Sequence, residues 1–379
     1  MRVVFLTHNY PRFAGDVAGA FLATLALALR QRGHDIRVIA PSDGGDPGPA
    51  ALDDVPVERV RYAVPRGETL AYRGTMAEAG RSPAGAWRAW SLVRALRRAA
   101  RRAMADGADL IHAHWWIPAG LAAPRGAPLV VTLHGTDAEL LARSAPARWL
   151  ARPLLQRAEV VTAVSAAAAD RVRQATGREI PASCLQPMPV DLARFDAPGA
   201  GGGGIVSVAR LTRQKRVDLA VRALATAGNS LPPLTIVGDG PERASLEALV
   251  AELNLGSRVS FAGALPPAEV ARALARADLA LFPAEREGFG LAAVEALLAG
   301  VPVVACRDGG GVLSVVPEAG AGRVVEPSAT ALAGAARDLL ADPSARELAR
   351  AAGAVWRERL SPARVAEVCE GWYREALRA

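Results

Sequence analysis

Lysine is almost missing from this chain of 379 residues, which contains 44 arginines and the single lysine Lys215. A lone lysine among so many arginines indicates a position that needs a compact ammonium, although codon bias with one chance survivor also explains it. Cysteine is scarce too, with only Cys184, Cys306 and Cys369. Three scattered cysteines predict neither a disulfide framework nor a metal cluster, and they are typical of a reduced, cytosolic protein.

Long apolar runs are also missing. None reaches 18 residues, so we expect no transmembrane helix. Met1 leads almost directly into the apolar run Val3–Thr7, and we therefore expect no signal peptide and a cytoplasmic location. Hydrophobic residues still make up 51% of the sequence. That fraction and the chain length predict a globular protein of two domains.

The positive charge is confined to one half of the chain. Residues 1–195 carry 25 arginines against 17 acidic residues, a net charge of +8, whereas residues 196–379 sum to −1. An excess of this kind predicts an anionic partner for the first half, which is a membrane surface, an anionic acceptor or a nucleic acid. The sequence contains no aromatic–basic nucleic-acid motif, so we expect no nucleic-acid partner.

A predicted helix over Trp87–Ala105 concentrates part of this charge. One stripe of the helix is apolar. The opposite side carries Arg94, Arg97, Arg98, Arg101 and Arg102, with Trp87 and Trp90 nearby. Arginine and tryptophan together suit an anionic membrane interface, and the protein would then be peripheral on the inner face of the cell membrane. A solvated face on a core-packed helix explains the same pattern.

The chain begins with a strand, a glycine-containing loop, a helix and a second strand. The two strands are predicted at Val3–Thr7 and Ile36–Ala40, and the helix at Ala18–Gln31. This order is typical of a doubly wound parallel sheet. The loop lacks Gly-Xaa-Gly-Xaa-Xaa-Gly and no acidic residue ends the second strand, so a dinucleotide site is disfavoured.

Histidines occupy two predicted strand ends. His112 and His114 end one strand, and His134 ends the next, in Leu133-His134-Gly135-Thr136-Asp137. Ligands of open parallel sheets bind beyond the carboxyl ends of the strands. The histidines lack the spacing of zinc ligands, and structural roles are favoured for His112 and His114.

The run Gly199–Gly204 predicts a flexible boundary between two domains. A strand follows at Ile205–Ala209, and a helix is predicted to begin near Val217. Arg210 and Lys215 lie in the loop between them. Two cations beside a helix N-terminus are suited to a diphosphate.

The stretch Glu285–Gly300 combines a glycine turn with a helix. It follows the strand-like Leu279–Pro283, and Gly288 and Gly290 allow a tight turn before the helix formers Leu291–Ala299. Glu287 lies in the turn and Glu295 lies about two turns into the helix. Carboxylates at both places can accept hydrogen bonds from a polyhydroxylated ligand, but two exposed surface glutamates give the same spacing.

The Glu287-to-Glu295 spacing resembles the E-x7-E signature of retaining GT-B glycosyltransferases of glycosyltransferase family 4. His134-Gly135-Thr136-Asp137, the Arg210/Lys215 pair and Gly238-Asp239-Gly240-Pro241 resemble further motifs of that family. The resemblance implies an α/β protein with two Rossmann-like doubly wound parallel-sheet domains facing a central cleft. It implies an acceptor-binding domain at 1–197, against which the terminal helix 362–379 packs, and a donor-binding domain at 198–361.

The resemblance also implies the site residues. The expected catalytic residues are His134, Glu287, Arg210 and Lys215. The expected donor-binding residues are Gly15, Arg210, Lys215, Gly238, Gly263, Glu287, Gly288, Phe289, Gly290, Leu291 and Glu295. The expected acceptor or membrane contacts are Asp16, Arg94, Arg97, Arg98, Arg101 and Arg102. No metal site is expected, because the sequence has no Asp-Xaa-Asp pair.

The implied activity is transfer of a hexose-type sugar from a UDP- or GDP-sugar to a glycan or lipid-linked acceptor in cell-envelope, polysaccharide or glycoconjugate biosynthesis. It is expected to retain anomeric configuration and to need no cofactor or metal. Met188-Pro189 and Ser314 depart from the family pattern. A sugar-nucleotide epimerase on the same architecture and a non-catalytic sugar-nucleotide-binding protein are the alternatives.

Overall fold

The computed structural model describes residues 1–46, 48, 50–72, 76, 82–196, 199–316 and 320–379. They form two compact units, with Met1–Asp191 and Leu360–Ala379 in unit 1 and Leu192–Arg359 in unit 2. The predicted domain boundary between residues 197 and 198 lies outside the described residues. Among the residues described, no helix combines enough length with enough apolar character to cross a membrane.

Unit 1 contains a seven-stranded sheet in the order β3-β4-β2-β1-β5-β6-β7. Its strands are β1 Arg2–Leu6, β2 Asp35–Pro41, β3 Ala51–Leu52, β4 Val55–Val60, β5 Leu110–His114, β6 Leu129–Leu133 and β7 Val160–Ala163. All neighbours are parallel except β3, which pairs antiparallel with β4. Every residue of β5, β6 and β7 is buried, as expected for central strands covered on both faces.

The helices of unit 1 that precede residue 191 cover this sheet. They are α1 Ala20–Gln31, α2 Pro83–Ala105, α3 Thr136–Arg143, α4 Ala145–Arg157 and α5 Ala166–Thr176. Ser82, Ser144 and Ser165 cap α2, α4 and α5, because each hydroxyl accepts a hydrogen bond from the backbone N–H three residues later.

Unit 2 contains a six-stranded parallel sheet in the order β10-β9-β8-β11-β12-β13. Its strands are β8 Ile205–Val208, β9 Leu234–Val237, β10 Val259–Gly263, β11 Leu279–Phe282, β12 Val303–Cys306 and β13 Gly322–Val325. Its helices are α6 Val217–Ala227, α7 Arg243–Glu252, α8 Pro267–Arg276, α9 Leu291–Leu298, α10 Ala329–Ala341 and α11 Ala345–Arg359. The order reverses between β8 and β11, and ligands of such sheets bind beyond the strand ends at this point.

The glycine run at 199–204 is an ordered part of unit 2, which differs from the predicted flexible linker. The Asp278 carboxylate accepts hydrogen bonds from the backbone N–H of Gly202 at 2.7 Å and of Gly204 at 2.9 Å. A Cβ added at Gly203 would lie 2.8 Å from the carbonyl oxygen of Arg276. Neighbouring backbone therefore leaves no room for a side chain at Gly203, and the same holds at Gly199 and Gly204.

Other elements differ in smaller ways from the sequence-based expectations. Helix α1 begins two residues later than predicted, because Gly19 adopts a left-handed φ of 70° at the N-cap. The content of proline, glycine and aspartate in residues 41–56 predicts a loop, but β3 and the first residues of β4 lie in this stretch. The sequence did not predict this hairpin because proline is unusual inside a strand, whereas Pro56 lies inside β4 and pairs with Ala51.

The terminal helix α12, Pro362–Ala376, packs on α1 in unit 1. The Glu370 carboxylate accepts hydrogen bonds from Arg32 Nε at 2.6 Å and Arg32 Nη2 at 3.0 Å, and it lies 3.0 Å from His34 Nε2. The Tyr373 hydroxyl lies 2.8 Å from His112 Nδ1. These contacts join the last residues of the chain to the helix and strands near its beginning.

We predict that Glu370→Gln destabilises unit 1 in a pH-dependent way. The Arg32 guanidinium, with His34, holds the pKa of Glu370 at about 2 against the effect of burial. The unfolded carboxyl titrates near 4.5, so its stabilisation is complete above that pH and is lost as the pH falls towards 2. We expect a loss of about 2 kcal/mol in unfolding free energy at pH 7, measured by urea denaturation, and a smaller difference at pH 3.

Glu367→Gln is the matched control, because Glu367 lies on the same helix and its pair with Arg364 is exposed. We expect it to change stability by less than about 1 kcal/mol at either pH. An equal loss for Glu370→Gln at pH 7 and pH 3 would contradict the assignment.

Candidate active site

Two loops of unit 2 are fastened to each other at the carboxyl ends of the adjacent strands β8 and β11. The backbone N–H of Glu285 donates to the carbonyl oxygen of Gln214 at 2.9 Å. The side-chain amide of Gln214 donates in return to the carbonyl oxygens of Glu285 at 3.1 Å and Arg286 at 3.2 Å. Residues more than 70 positions apart in sequence thus share one rigid surface.

This arrangement brings Lys215 and Glu287 together. The Lys215 ammonium donates to Oε2 of Glu287, and the two side chains are only 25% and 21% exposed. The next residue, Arg216, donates from Nε to the Pro283 carbonyl oxygen at 2.9 Å and pairs with the Asp308 carboxylate. The single lysine of the chain therefore meets the first glutamate of the predicted E-x7-E signature, while a neighbouring arginine holds the loop.

A cavity of about 140 Å³ opens beside this ion pair. Its wall comes from the end of β8, the residues after β11 and the first turn of α9, and Lys215 and Glu287 belong to it. The remaining lining residues are Ser207, Val208, Ala209, Phe282, Pro283, Ala284, Gly290, Leu291, Ala292, Ala293 and Val312. Gly290 and Leu291, both predicted to bind the donor, therefore line the same cavity as Lys215 and Glu287.

The N-terminus of α9 is open towards the cavity. Gly290 is its N-cap with φ of 95°, and no side chain caps the helix. The N–H groups of the first turn therefore present a partial positive charge to an anion or a hydroxyl oxygen. A Cβ at Gly290 would lie 2.7 Å from a methyl carbon of Val312, so the site leaves no room for a side chain there.

Other predicted residues of this stretch have different surroundings. Gly288 lies in the turn, and the ring of Phe289 packs against Trp356 with ring centroids 5.6 Å apart. Glu295 is half-buried and lies on α9 beyond the turn that lines the cavity. Burial raises the pKa of Glu295 to about 7, and the nearby charge of Arg194 opposes this shift.

The predicted glycines Gly238 and Gly263 meet through a hydrogen bond from Gly238 N to Gly263 O of 2.7 Å. Gly238 has φ of 136°, and a Cβ there would lie 1.8 Å from the carbonyl oxygen of Ala209. Gly263 has φ of 72°, but open space surrounds the position of its missing Cβ. Close packing therefore requires glycine at 238, whereas only the backbone conformation favours it at 263.

Arg210 lies in the same loop as Lys215 and is exposed. Among the described residues, no carboxylate lies within 4.0 Å of its guanidinium. Its charge is therefore available to a ligand.

In unit 1, His134 sits in a histidine and aromatic cluster at the ends of β1, β5 and β6. Its Nε2 lies 3.2 Å from His114 Nδ1, and its ring lies against Trp115 and Phe21 with centroids 4.2 and 5.3 Å away. Burial lowers the pKa of His134 well below its ordinary value, and His112 and His8 add to the shift. His134 is therefore a neutral imidazole at pH 7.

Asp137 positions the His134 loop, a role that the sequence analysis missed. Its Oδ1 accepts backbone hydrogen bonds from His134 at 3.0 Å and from Gly135 and Ala138 at 3.1 Å. Its Oδ2 accepts from Trp116 N at 3.1 Å. Burial raises the pKa of Asp137 to about 6, against the effect of these bonds. The available signal was an acidic residue in the first turn of α3, two residues after Gly135.

His112 has the structural surroundings that the sequence analysis favoured. Its Nδ1 faces Tyr373, and its Nε2 lies 2.7 Å from the Thr132 hydroxyl. Burial lowers the pKa of His112 to about 3. Across the parts of the chain that the structure covers, no group of three or more His, Cys, Asp or Glu side chains could hold a metal ion.

Asp16, predicted to contact the acceptor, has an internal partner. Its carboxylate accepts from the Arg12 backbone at 3.0 Å and from Arg12 Nε at 2.7 Å. The nearby Gly15 is exposed and open, whereas a Cβ at Gly19 would lie 2.3 Å from the Asn9 carbonyl oxygen. Asp16 and Gly19 thus shape the loop, and the ligand contacts of Gly15 and Asp16 stay predictions.

The five arginines on α2 do not form one uniform face. Arg102 pairs with Glu58 at 2.6 Å, and Arg94 lies over the ring of Trp90 at 4.5 Å. Arg97 donates to the Leu121 carbonyl oxygen, whereas Arg98 and Arg101 are exposed.

Two doubly wound parallel sheets, with a lysine and a glutamate at a glycine turn before a helix, define a protein of the GT-B glycosyltransferase class. The family model "Glycosyl transferases group 1" matches residues 201–356, and "Glycosyltransferase Family 4" matches residues 18–194. The chain belongs to this family of glycosyltransferases. The fold class and the enzyme class predicted from the sequence are therefore confirmed.

Two relatives and one solved structure illustrate the similarity. The chain is 34% identical over 235 residues to 2-deoxystreptamine glucosyltransferase of Streptomyces kanamyceticus, a match that covers 54% of this chain and 60% of that protein. It is 33% identical over 263 residues to the GDP-mannose-dependent alpha-(1-6)-phosphatidylinositol monomannoside mannosyltransferase of Mycolicibacterium smegmatis, covering 62% and 67%. Anabaena Alr3699/HepE in complex with UDP and glucose superposes with a TM-score of 0.73 at 22% identity, covering 98% and 99%.

We predict that Gly238→Ala and Gly263→Ala, substitutions at two expected donor-binding glycines, differ sharply in cost. At position 238 the added methyl collides with backbone, so we expect unit 2 to lose about 3 kcal/mol of unfolding free energy. At position 263 only the left-handed backbone is strained, and we expect about 1 kcal/mol. Chemical denaturation of both variants measures the difference, and equal losses would contradict it.

Proposed function

We propose that this protein transfers a hexose-type sugar from a nucleoside-diphosphate sugar to a glycan or lipid-linked acceptor, with retention of anomeric configuration and without a metal ion. The observation that carries the proposal is the Lys215–Glu287 ion pair beside the cavity at the open N-terminus of α9. A cation, a helix N-terminus and a carboxylate within one small cavity match the phosphate and hydroxyl groups of such a donor.

In the proposed complex the diphosphate of the donor lies between Lys215, Arg210 and the first turn of α9. Negative charge grows on the diphosphate as the glycosidic bond breaks, and fixed positive charge then stabilises the transition state more than the bound substrate. These groups take the place of a divalent cation. The lack of an Asp-Xaa-Asp pair in the sequence supports the same proposal.

Glu287 has two functions in this proposal. Its carboxylate orients the Lys215 ammonium, and its remaining acceptor sites can bind hydroxyl groups of the transferred sugar. The double displacement of retaining glycosidases needs a second carboxylate close to the first. We propose instead that the acceptor attacks on the face that the diphosphate leaves. In this proposal Glu295 contacts a second part of the donor, and the neutral imidazole of His134 contacts the transferred sugar.

The names of similar proteins support a UDP- or GDP-sugar as donor. One relative is named a GDP-mannose-dependent mannosyltransferase, and the similar Anabaena structure holds UDP and glucose. Another relative is named a glucosyltransferase. We propose a nucleotide from this group, with the acceptor drawn from cell-envelope, polysaccharide or glycoconjugate synthesis.

We predict that one nucleotide among UDP, GDP, ADP and dTDP raises the thermal midpoint of the wild type but not of Lys215→Ala. A ligand at 100 times its dissociation constant stabilises a protein by about 2.7 kcal/mol, which is a shift of a few degrees at this size. The matched control is Arg222→Ala, an exposed cation of α6 outside the cavity, which we expect to keep the shift. A shift that persists in Lys215→Ala would contradict the phosphate site.

We predict that transfer from the donor so identified proceeds at an unchanged rate in excess EDTA. Release of the nucleoside diphosphate measures the rate, and NMR of the product measures its anomeric configuration, which we expect to match the donor. A strict requirement for Mg²⁺ would contradict the proposed phosphate site. A changed sugar without an acceptor product would indicate the epimerase, and nucleotide binding without any turnover would indicate a non-catalytic protein.

A further inference from the structure

A groove of about 530 Å³ on unit 1 is surrounded by arginines that the proposed chemistry does not use. We call it the arginine groove and define it by Arg97, Arg101, Arg125 and Arg157. Apolar side chains also line it, among them Leu121 and Leu154. Helix α2 contributes the first two arginines, and the end of α4 contributes the last.

In the described parts of the chain, no ion pair neutralises the arginines of the groove. Within the described ranges, no carboxylate lies within 4.0 Å of any of the four guanidinium groups. Arg157 donates to the carbonyl oxygens of Ala123 at 2.9 Å and Pro124 at 3.3 Å, and Arg97 donates to that of Leu121. Backbone carbonyls therefore hold two of the side chains in place without neutralising them.

The grouping of these cations is electrostatically unfavourable without a ligand. Burial lowers the pKa of Arg97, and the neighbouring Arg101 and Arg125 lower it further. Burial also lowers the pKa of Arg157 despite the opposing charge of Glu159. The Glu159 carboxylate is engaged by the backbone N–H of Leu129 at 2.7 Å. An anion that entered the groove would relieve the repulsion.

Apolar side chains are exposed directly beside the arginine groove. A second groove, of about 660 Å³, runs along α4 and shares Leu150 and Pro153 with the first. Trp149, 77% exposed, and Leu150, 41% exposed, lie there with Arg148 and Arg152. Uncompensated cations next to an exposed tryptophan and leucine suit an interface in which anionic headgroups cover an apolar layer.

We propose that the arginine groove binds the phosphate groups of anionic phospholipids while Trp149 and Leu150 enter the edge of the acyl layer. Unit 1 then docks on a membrane through α4 and the second half of α2. The proposed contact does not involve Arg94, which lies over the ring of Trp90, or Arg102, which pairs with Glu58. The proposal does not rest on the transferase activity, so its test is a binding measurement on the full chain.

The experiment is co-sedimentation with phosphatidylcholine vesicles, with and without phosphatidylglycerol. The test variant is Arg101→Gln/Arg125→Gln. Both side chains are exposed, so we expect the double substitution to leave the fold intact. We expect wild-type binding only with phosphatidylglycerol, and a fall of about fivefold in the partition coefficient for each arginine removed. Trp149→Ala is expected to weaken binding as well, without changing the charge.

The matched control is Arg222→Gln/Arg337→Gln, which removes the same charge from exposed positions of unit 2. We expect it to bind vesicles like the wild type. An equal loss in both double variants would overturn the proposal, because net charge alone would then explain binding. A thermal shift with inorganic phosphate that Arg101→Gln/Arg125→Gln abolishes, without any vesicle binding, would also overturn it in favour of a soluble phosphate ligand.

Discussion

The Lys215–Glu287 ion pair depends on the pairing of two strands that are far apart in sequence. Strands β8 and β11 are neighbours in the unit 2 sheet, so the loops that leave them emerge side by side. Gln214 then fixes one loop to the other through backbone hydrogen bonds. An ion pair on flexible surface loops contributes little, because ordering two side chains costs entropy. Here the sheet has already ordered both backbones, and the two side chains need only local adjustment.

In unit 1, a buried carboxylate fixes the loops that carry the candidate site residue. Asp137 holds the backbone of His134 and the start of the Trp116 segment, which come from two different strand ends. Burying this group is costly, and four backbone N–H groups compensate for the lost hydration. The terminal helix α12 also contacts this cluster, because the Tyr373 hydroxyl lies beside His112, whose ring packs against that of His114. Candidate catalytic side chains in both units are thus placed by backbone hydrogen bonds.

Much of this fold could be predicted from the sequence because several of its central strands are continuous apolar runs and most of its helices begin after serine or glycine. Residues Leu279–Phe282 and Val303–Cys306 illustrate this, since each is apolar and buried throughout. The turn at Gly288–Gly290 and the cations before α6 were also recognisable. These features are local, so a window of ten to twenty residues contains the whole signal.

Pairings over long distances could not be predicted in the same way. Nothing in the spacing of α2 indicates that Arg102 meets Glu58 while Arg101 faces a groove. The sequence does not show which of its many arginines pairs with Asp16, so Asp16 was predicted to contact a ligand. In the structure its partner is Arg12. The run Gly199–Gly204 has the composition of a linker, yet neighbouring backbone leaves no space for a side chain at Gly199, Gly203 and Gly204. Such roles follow from tertiary packing, which single-sequence patterns do not encode.

The presence of a single lysine has a consequence for chemical labelling. Amine-reactive reagents can form stable amides only at Lys215 and the amino terminus, because guanidinium groups do not react under the same conditions. Lys215 is partly enclosed and hydrogen-bonded to Glu287, so its acylation reports on the state of one cavity. The sequence therefore supplies a built-in covalent probe, with which occupancy of the site can be followed by intact mass without introducing a residue.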